Sequence, residues 1–259
     1  MRIKQSVCYP IMEPLPLPLP EFFSQVAKIG FDAVEIWKPD EHFETTAALA
    51  VNHGLRIASF SGHDSVSDGL NNPEQHERII HELTHSIDLA AKWNVPGIIC
   101  FSGNRLPGQG DDQAMEACVT GLRKIAHYAE VKGVNLNMEL LNSKVDHPGY
   151  VCDHSAWGLE VVRRVNSPRV KLLYDIYHMQ IMEGDLIRTI TSNIQWIGHF
   201  HTAGVPGRNE IDDTQEINYR GLCQALSETS YDLFFGHEFH PRHDLLSSLQ
   251  EAFLICDKG

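Results

Sequence analysis

Eight strand-like segments alternate with eight helix-like segments along the 259 residues of this chain, and few folds accept that pattern. Apolar, β-branched runs at 3–9, 31–37, 55–60, 95–101, 134–138, 170–174, 194–200 and 233–237 read as strands. Amphipathic runs at 21–29, 45–53, 73–93, 111–132, 155–165, 185–192, 219–228 and 245–255 read as helices. Gly30, Gly54 and Gly133 close three of them, and Pro73 after Asn72 opens one. Regular alternation implies a parallel sheet with the helices packed outside it. At this length a closed (β/α)8 barrel, the TIM barrel of the α/β class, is favoured over an open doubly wound sheet. No G-x-G-x-x-G follows the first strand, and the loop from Gly103 to Gly110 does not open a phosphate-binding helix, so a dinucleotide fold is disfavoured. No composition break interrupts the chain, and residues 1–259 are expected to form one domain. The proline-leucine run at 14–20 cannot be helix or central strand. It is expected to be a stiff loop into the first helix rather than a ligand for a proline-binding domain.

Charge narrows the partners. With 34 Asp and Glu against 21 Lys and Arg, the formal net charge is −13. Such a surface repels nucleic acid and anionic membrane. A small anionic substrate is still compatible, because one local cation can hold it. The six cysteines form no C-x-x-C pair and sit mostly in apolar surroundings, which suits reduced thiols in the cytoplasm. Residues 1–7 contain no long apolar run or cleavage site, and no stretch reaches membrane-span length. A homo-oligomer is compatible with all of this.

In a barrel the C-terminal ends of the strands surround one mouth. Four successive strands end here in Glu139, Asp175, His201 and Glu238, about one strand-helix unit apart. Three carboxylates and an imidazole form a hard, oxygen-rich ligand set. It suits Mn²⁺, Mg²⁺ or Co²⁺ better than Zn²⁺. Without a cation the carboxylates would repel, and one or two would hold a proton. The plainer reading makes each a helix cap or loop residue; convergence of all four speaks against it. His178 follows Asp175 by three residues, as the chain turns from strand to helix, and belongs to the same corner. Arg208 stands in a turn shaped by Gly204, Pro206 and Gly207, either as a clamp for a substrate carboxylate or as an ordinary surface arginine. Other candidates carry plainer roles. His199 shares the strand face of His201 but lies deeper, as a packed or supporting histidine. His240 falls on the rim, and His63 either lines the mouth or is a hydrogen-bonded structural histidine. Glu35, inside the second strand, reads as a buried partner for a barrel histidine or lysine.

Two glutamates on a divalent cation point to proton transfer. A cation held by carboxylates binds adjacent oxygens of a hydroxy-carbonyl compound and acidifies the neighbouring C–H. The free oxygens of Glu139 and Glu238 could then move protons from opposite sides of the substrate. That is the chemistry of aldose-ketose isomerisation and of epimerisation beside a carbonyl.

Several runs then resemble one family. Asp146-His147-Pro148-Gly149-Tyr150, Ser167-Pro168, the stretch from Tyr174 to Leu186, Pro206-Gly207-Arg208 and Glu216-Ile217-Asn218-Tyr219 are similar to the hydroxypyruvate isomerase family, within the xylose-isomerase-like TIM-barrel sugar isomerases and epimerases. The resemblance is specific from about residue 139 to 241 and only architectural before that. It implies a proton-transfer pair at Glu139 and Glu238. Related ketose 3-epimerases imply metal ligation by Glu139, Asp175, His201 and Glu238, with His178 and Arg208 contacting substrate. The implied reaction takes hydroxypyruvate to tartronate semialdehyde through an enediol, with the carboxylate on Arg208. The chain departs from the family pattern at several places. Leu140-Leu141-Asn142 stands where the family has Pro-Ile-Asn, His201 where it often has Gln, and Ala203-Gly204-Val205 where it often has Ala-Asp-Asn. Residues 209–215 and Phe239-His240-Pro241 also differ. These positions line the expected pocket, so they bear on substrate more than on fold. A ketose 3-epimerase or a dehydratase of the same superfamily is the main alternative. A non-catalytic ligand-binding barrel is a more distant one. An endonuclease IV-like enzyme is disfavoured by the negative charge and by Ser102 where a histidine ligand would be wanted.

Overall fold

The computed structural model describes residues 2–257, so residues 1, 258 and 259 of the one-domain expectation lie outside the described residues. Eight strands form it: β1 Lys4–Cys8, β2 Ala33–Glu35, β3 Arg56–Ile57, β4 Gly97–Cys100, β5 Asn135–Glu139, β6 Val170–Asp175, β7 Ile197–Thr202 and β8 Phe234–His237. All paired strands are parallel, in the order β3-β2-β1-β8-β7-β6-β5-β4. The seam between β3 and β4 is joined beyond the end of β3. The Ile99 N–H donates to Phe60 O at 2.9 Å, and the Gly62 N–H donates to Ile99 O at 2.8 Å. The expected (β/α)8 barrel is the fold of this chain.

Outside the barrel lie α1 Leu19–Ile29, α2 Phe43–Asn52, α3 His76–Lys92, α4 Asp111–Lys132, α5 Ser155–Val165, α6 Ile176–Met182, α7 Leu186–Ser192, α8 Tyr219–Ser227 and α9 Leu245–Cys256. Their apolar faces supply the outer core. Phe22 and Phe23 of α1 are fully buried, and truncating either to alanine would cost about 3–5 kcal/mol. Among the described residues, no helix is long and apolar enough to cross a membrane.

Four local expectations are corrected. Leu19 and Pro20 already belong to α1, because a proline in the first turn forgoes only an N–H that has no helical partner. The remaining prolines of the run are exposed while Leu15 and Leu17 are half-buried. The third strand shrinks to two residues, and Ser59 Oγ instead donates to Gly97 O at 3.1 Å. Residues 194–196 form a 3₁₀ turn, so β7 starts at Ile197. Finally, a separate helix, α6, follows β6 directly. Asp175 caps it by accepting the His178 N–H at 2.9 Å, and Gly184, with φ +68°, ends the turn before α7.

The inside of the barrel is unusually polar below the mouth. Gln5, Glu35, Asn137, His199 and His237 are all buried there. Asn137 fits because two strands present glycine to it: a Cβ on Gly97 would stand 2.5 Å from its Nδ2, and one on Gly198 2.1 Å from its Oδ1. Buried polar side chains need hydrogen bonds, and those of Glu35 to His199 and His201 underlie the site described next.

Candidate active site

Each of the four strand-end residues arrives from a different place in the ladder. Glu139 and Asp175 are the last residues of β5 and β6, His201 is the fifth of six in β7, and Glu238 follows β8 directly. Parallel register sets Asp175 beside His201, and the Glu238 N–H donates to Thr202 O at 3.0 Å. One ligand atom from each of the four lies within 4.8 Å of the others, and all four residues are buried.

His201 is the hub. Its Nδ1 stands 3.3 Å from Glu139 Oε1 and 3.4 Å from Glu238 Oε2. Its Nε2 points the other way, to Glu35 Oε2 at 2.9 Å. His199 Nε2 meets the same Glu35 oxygen at 3.0 Å, so His199 lies deeper as a hydrogen-bonded histidine, and Glu35 is the buried partner of two barrel histidines.

The cluster is short of positive charge, and the imbalance has a location. Burial, reinforced by Glu238 and Glu139, pushes Asp175 up to about 7 against the pull of Arg208 and His201. Burial would raise Glu238 too, but Arg208 and His201 outweigh it and hold it below its ordinary value. Burial disfavours a charged His201, yet Glu238 and Glu35 push it well above the usual histidine range. Burial acts against Glu35 as well, and His199 and His201 hold its carboxyl below the usual carboxylate range. A divalent cation among Glu139, Asp175, His201 and Glu238 would remove the repulsion that Asp175 records. Three buried carboxylates and one imidazole nitrogen, all within one coordination sphere's reach, fit such an ion.

Beside this cluster stand α6, with His178 fully buried, and the loops that carry Asn142 and Arg208. Asn142 Oδ1 accepts the N–H groups of Val145 and Asp146, both at 2.9 Å, so its Nδ2 is the donor. That Nδ2 lies 2.6 Å from His178 Nδ1 and 2.6 Å from Asp146 Oδ2. His178 Nδ1 is therefore an acceptor, and Nε2 carries the hydrogen. Buried Nε2 has no hydrogen-bond partner and lies 3.7 Å from Asp175 Oδ2. Burial, then Arg208, keeps this imidazole neutral by pushing it well below its ordinary value. Arg208 sits in left-handed backbone, φ +55°, and its guanidinium lies over the Tyr177 ring, 5.6 Å from the centroid. It pairs with Glu238 Oε2 at the mouth and is no free surface arginine.

Glu139, His201, Arg208 and Glu238 line a cavity of about 350 Å³. Trp37, Val66, Phe101 and Leu141 line it too, whereas the buried Asp175 and His178 do not. His63 resolves both ways: it lines this cavity, and its Nε2 accepts the Phe101 N–H at 2.9 Å. His240 is exposed on the rim. Sequence reasoning passed over Trp37, whose Nε1 donates to Glu238 Oε1 at 3.3 Å, and gave Asn142 no role. The available signal for Trp37 was its spacing, two residues past Glu35, which puts residues on one face where a strand continues; β2 itself ends at Glu35.

The chain from residue 23 to 255 matches the xylose isomerase-like TIM barrel family, and it belongs to that family. It is 31% identical over 228 residues to the 2-oxo-tetronate isomerase of Cupriavidus necator, covering 85% of this chain and 86% of that one. It is 28% identical over 228 residues to the hydroxypyruvate isomerase of Escherichia coli K12, covering 85% and 87% respectively. Among solved structures, a Brucella melitensis protein described as AP endonuclease, family 2, superposes with a TM-score of 0.80 at 25% identity, over 96% of this chain and 97% of that one.

Proposed function

We propose that the chain is an isomerase that interconverts hydroxypyruvate and tartronate semialdehyde by proton transfer through an enediol. The observation that carries this reading is the placement of two buried carboxylates, Glu139 and Glu238, on either side of His201 Nδ1 at 3.3 and 3.4 Å, with Arg208 beside the second. Relatives named for keto-acid isomerisation, spanning most of the chain, support it.

Each residue then has a role. Arg208 exchanges its contact with Glu238 for the substrate carboxylate, which brings the acid to the mouth in one orientation. One of Glu139 and Glu238 takes a proton from the hydroxymethylene carbon. The other, having taken the proton of that carbon's hydroxyl, returns it to the former keto carbon, and the first glutamate passes its own proton to the former keto oxygen. His178 offers its Nε2–H to a substrate oxygen as the electrons move. Glu139, Asp175, His201 and Glu238 would hold a divalent cation, Mn²⁺, Mg²⁺ or Co²⁺ in preference to Zn²⁺. When bound, it supplies Lewis-acid stabilisation of the enediolate charge. The apolar wall of Trp37, Phe101 and Leu141 excludes water from the reactive intermediate.

A second reading extends the acid by a carbon. The cavity is larger than a three-carbon acid needs, and one relative is named a 2-oxo-tetronate isomerase. A neutral ketose offers Arg208 no carboxylate to exchange for that of Glu238, so epimerase chemistry ranks below both acids. The cytoplasm suits the buried free thiols Cys8, Cys100, Cys118, Cys152 and Cys223. The test is turnover of hydroxypyruvate by protein reconstituted with Mn²⁺ or Mg²⁺, against an EDTA-stripped control. Metal-dependent tartronate semialdehyde supports the reading. Bound metal without turnover moves the assignment to the longer acid, and then to ketoses.

A further inference from the structure

Glu35 takes no part in the reaction above, yet it is the most heavily hydrogen-bonded carboxylate beneath the site. We propose that Glu35 is a positioning residue: it fixes the ring and tautomer of His201, so that Nδ1 presents its lone pair to the cation site. The inference rests on the cation reading of that site and not on the identity of the substrate.

The geometry leaves Glu35 little freedom. It ends β2 and is 2% exposed. Its Oε1 accepts the Ser6 hydroxyl at 2.6 Å, and its Oε2 lies 2.9 Å from His201 Nε2 and 3.0 Å from His199 Nε2. An ionised carboxylate only accepts hydrogen bonds, so both imidazoles donate to it through Nε2. Once a cation takes the place of the proton on Nδ1, the ring is neutral, with its hydrogen on Nε2 and its lone pair on Nδ1. That nitrogen faces Glu139 and Glu238. A carboxylate behind a ligating imidazole holds its orientation and makes it a better donor to a cation.

The barrel is also shaped for this contact. A Cβ added to Gly236 on β8 would stand 2.1 Å from Glu35 Oε1 and 3.1 Å from His201 Cδ2. Any side chain there would displace the pair, so glycine at 236 is the space in which the carboxylate sits. Glu35, His199 and His201 could alternatively hold an ion of their own. Both imidazoles, however, approach one and the same oxygen, Oε2, at 2.9 and 3.0 Å, as two N–H groups donating to it do. Both Glu35 oxygens are moreover already engaged.

The test measures cation binding directly, through loss of the free-Mn²⁺ electron paramagnetic resonance signal, with the visible absorption of the Co²⁺-loaded protein as a second readout. Glu35→Gln keeps the shape but removes the charge, and frees the amide to donate to His201. It is expected to weaken Mn²⁺ binding roughly 10- to 100-fold and to alter the Co²⁺ spectrum. Ser6→Ala leaves the carboxylate but loosens it, and should weaken binding in the same direction by a smaller factor. In both variants excess Mn²⁺ should restore much of kcat with an unchanged substrate KM, a pattern that a merely unstable barrel does not produce. A folded Glu35→Gln protein that binds Mn²⁺ within about two-fold of wild type, with an unchanged Co²⁺ spectrum, overturns the proposal. If Glu35→Gln fails to fold, Ser6→Ala decides by the same criterion. A wild-type protein that takes up none of these cations overturns it as well. Metal uptake without hydroxypyruvate turnover would remove the substrate assignment alone.

Discussion

The guanidinium of Arg208 donates to Oε2 of Glu238, the same oxygen that stands 3.4 Å from His201 Nδ1. The proposed carboxylate clamp and one member of the proton-transfer pair are thus already in contact. A substrate acid must compete with Glu238 for this cation, and winning that competition frees the glutamate. Arg208→Ala is expected to raise KM for hydroxypyruvate roughly 10- to 100-fold, the equivalent of a charge-assisted hydrogen bond worth about 1.5–3 kcal/mol. Arg208→Lys should recover only part of this, because an ammonium cannot form the bidentate pair. Steady-state kinetics on both variants check it. An unchanged KM in Arg208→Ala would exclude the clamp.

Glu139→Gln and Glu238→Gln test the proton transfer itself. Each amide keeps the shape of the carboxylate but cannot act as a base. Each is expected to lower kcat roughly 10²- to 10⁴-fold with the circular dichroism of a folded barrel. Exchange of substrate hydrogen with deuterated solvent should fall in parallel. Because both residues also belong to the cation cluster, the assay must be run at saturating metal, where a loss of proton transfer persists and a loss of affinity does not.

The sequence and the structure agree most closely where a charge interrupts an apolar run. Glu139, Asp175 and Glu238 each stand where a buried strand stops, and barrel topology brings such ends to one mouth. No local signal reports the partners of a buried charge. Glu35 meets residues 164 and 166 positions away in the chain, and only the closed barrel makes them neighbours. The short helix α6 escaped for a related reason. Seven residues carry little periodicity, and its start depends on a cap by Asp175, a residue whose other role dominates the reading. Asn142 drew no role from the sequence because its hydrogen bond to His178 spans 36 positions of the chain.

His63 gives the protein a pH-dependent stability. Burial, with Arg78 adding and Glu82 opposing, pushes it from the ordinary 6.5 down to about 4. Above 6.5 the imidazole is neutral in both native and unfolded chains and contributes no slope. As pH falls below that value, the unfolded chain takes up a proton that the native one refuses, so stability declines. The loss is complete near pH 4, at about 3 kcal/mol for this one group. Urea unfolding at several pH values within that window should show the decline, and His63→Gln should flatten part of it. An identical slope in the variant would assign the decline to other groups.

Asn142 decides which nitrogen of His178 carries the hydrogen. The amide is locked by two backbone donors to its oxygen, so its Nδ2 can only donate to His178 Nδ1, which leaves the hydrogen on Nε2. Asn142→Leu removes the donor and lets both tautomers form. Asn142→Asp, ionised at alkaline pH, accepts instead of donating and draws the hydrogen to Nδ1. Nε2 then carries a bare lone pair and has no hydrogen to offer a developing oxyanion. Loss of kcat should therefore follow the tautomer and not the size of the side chain. Asn142→Asp is expected to fall roughly 10²-fold and Asn142→Leu less. Nitrogen-15 NMR of the His178 ring would report the tautomer in each variant directly. A ring that keeps its hydrogen on Nε2 in Asn142→Asp would mean that the 3.7 Å approach of Asp175 Oδ2, and not Asn142, sets the tautomer.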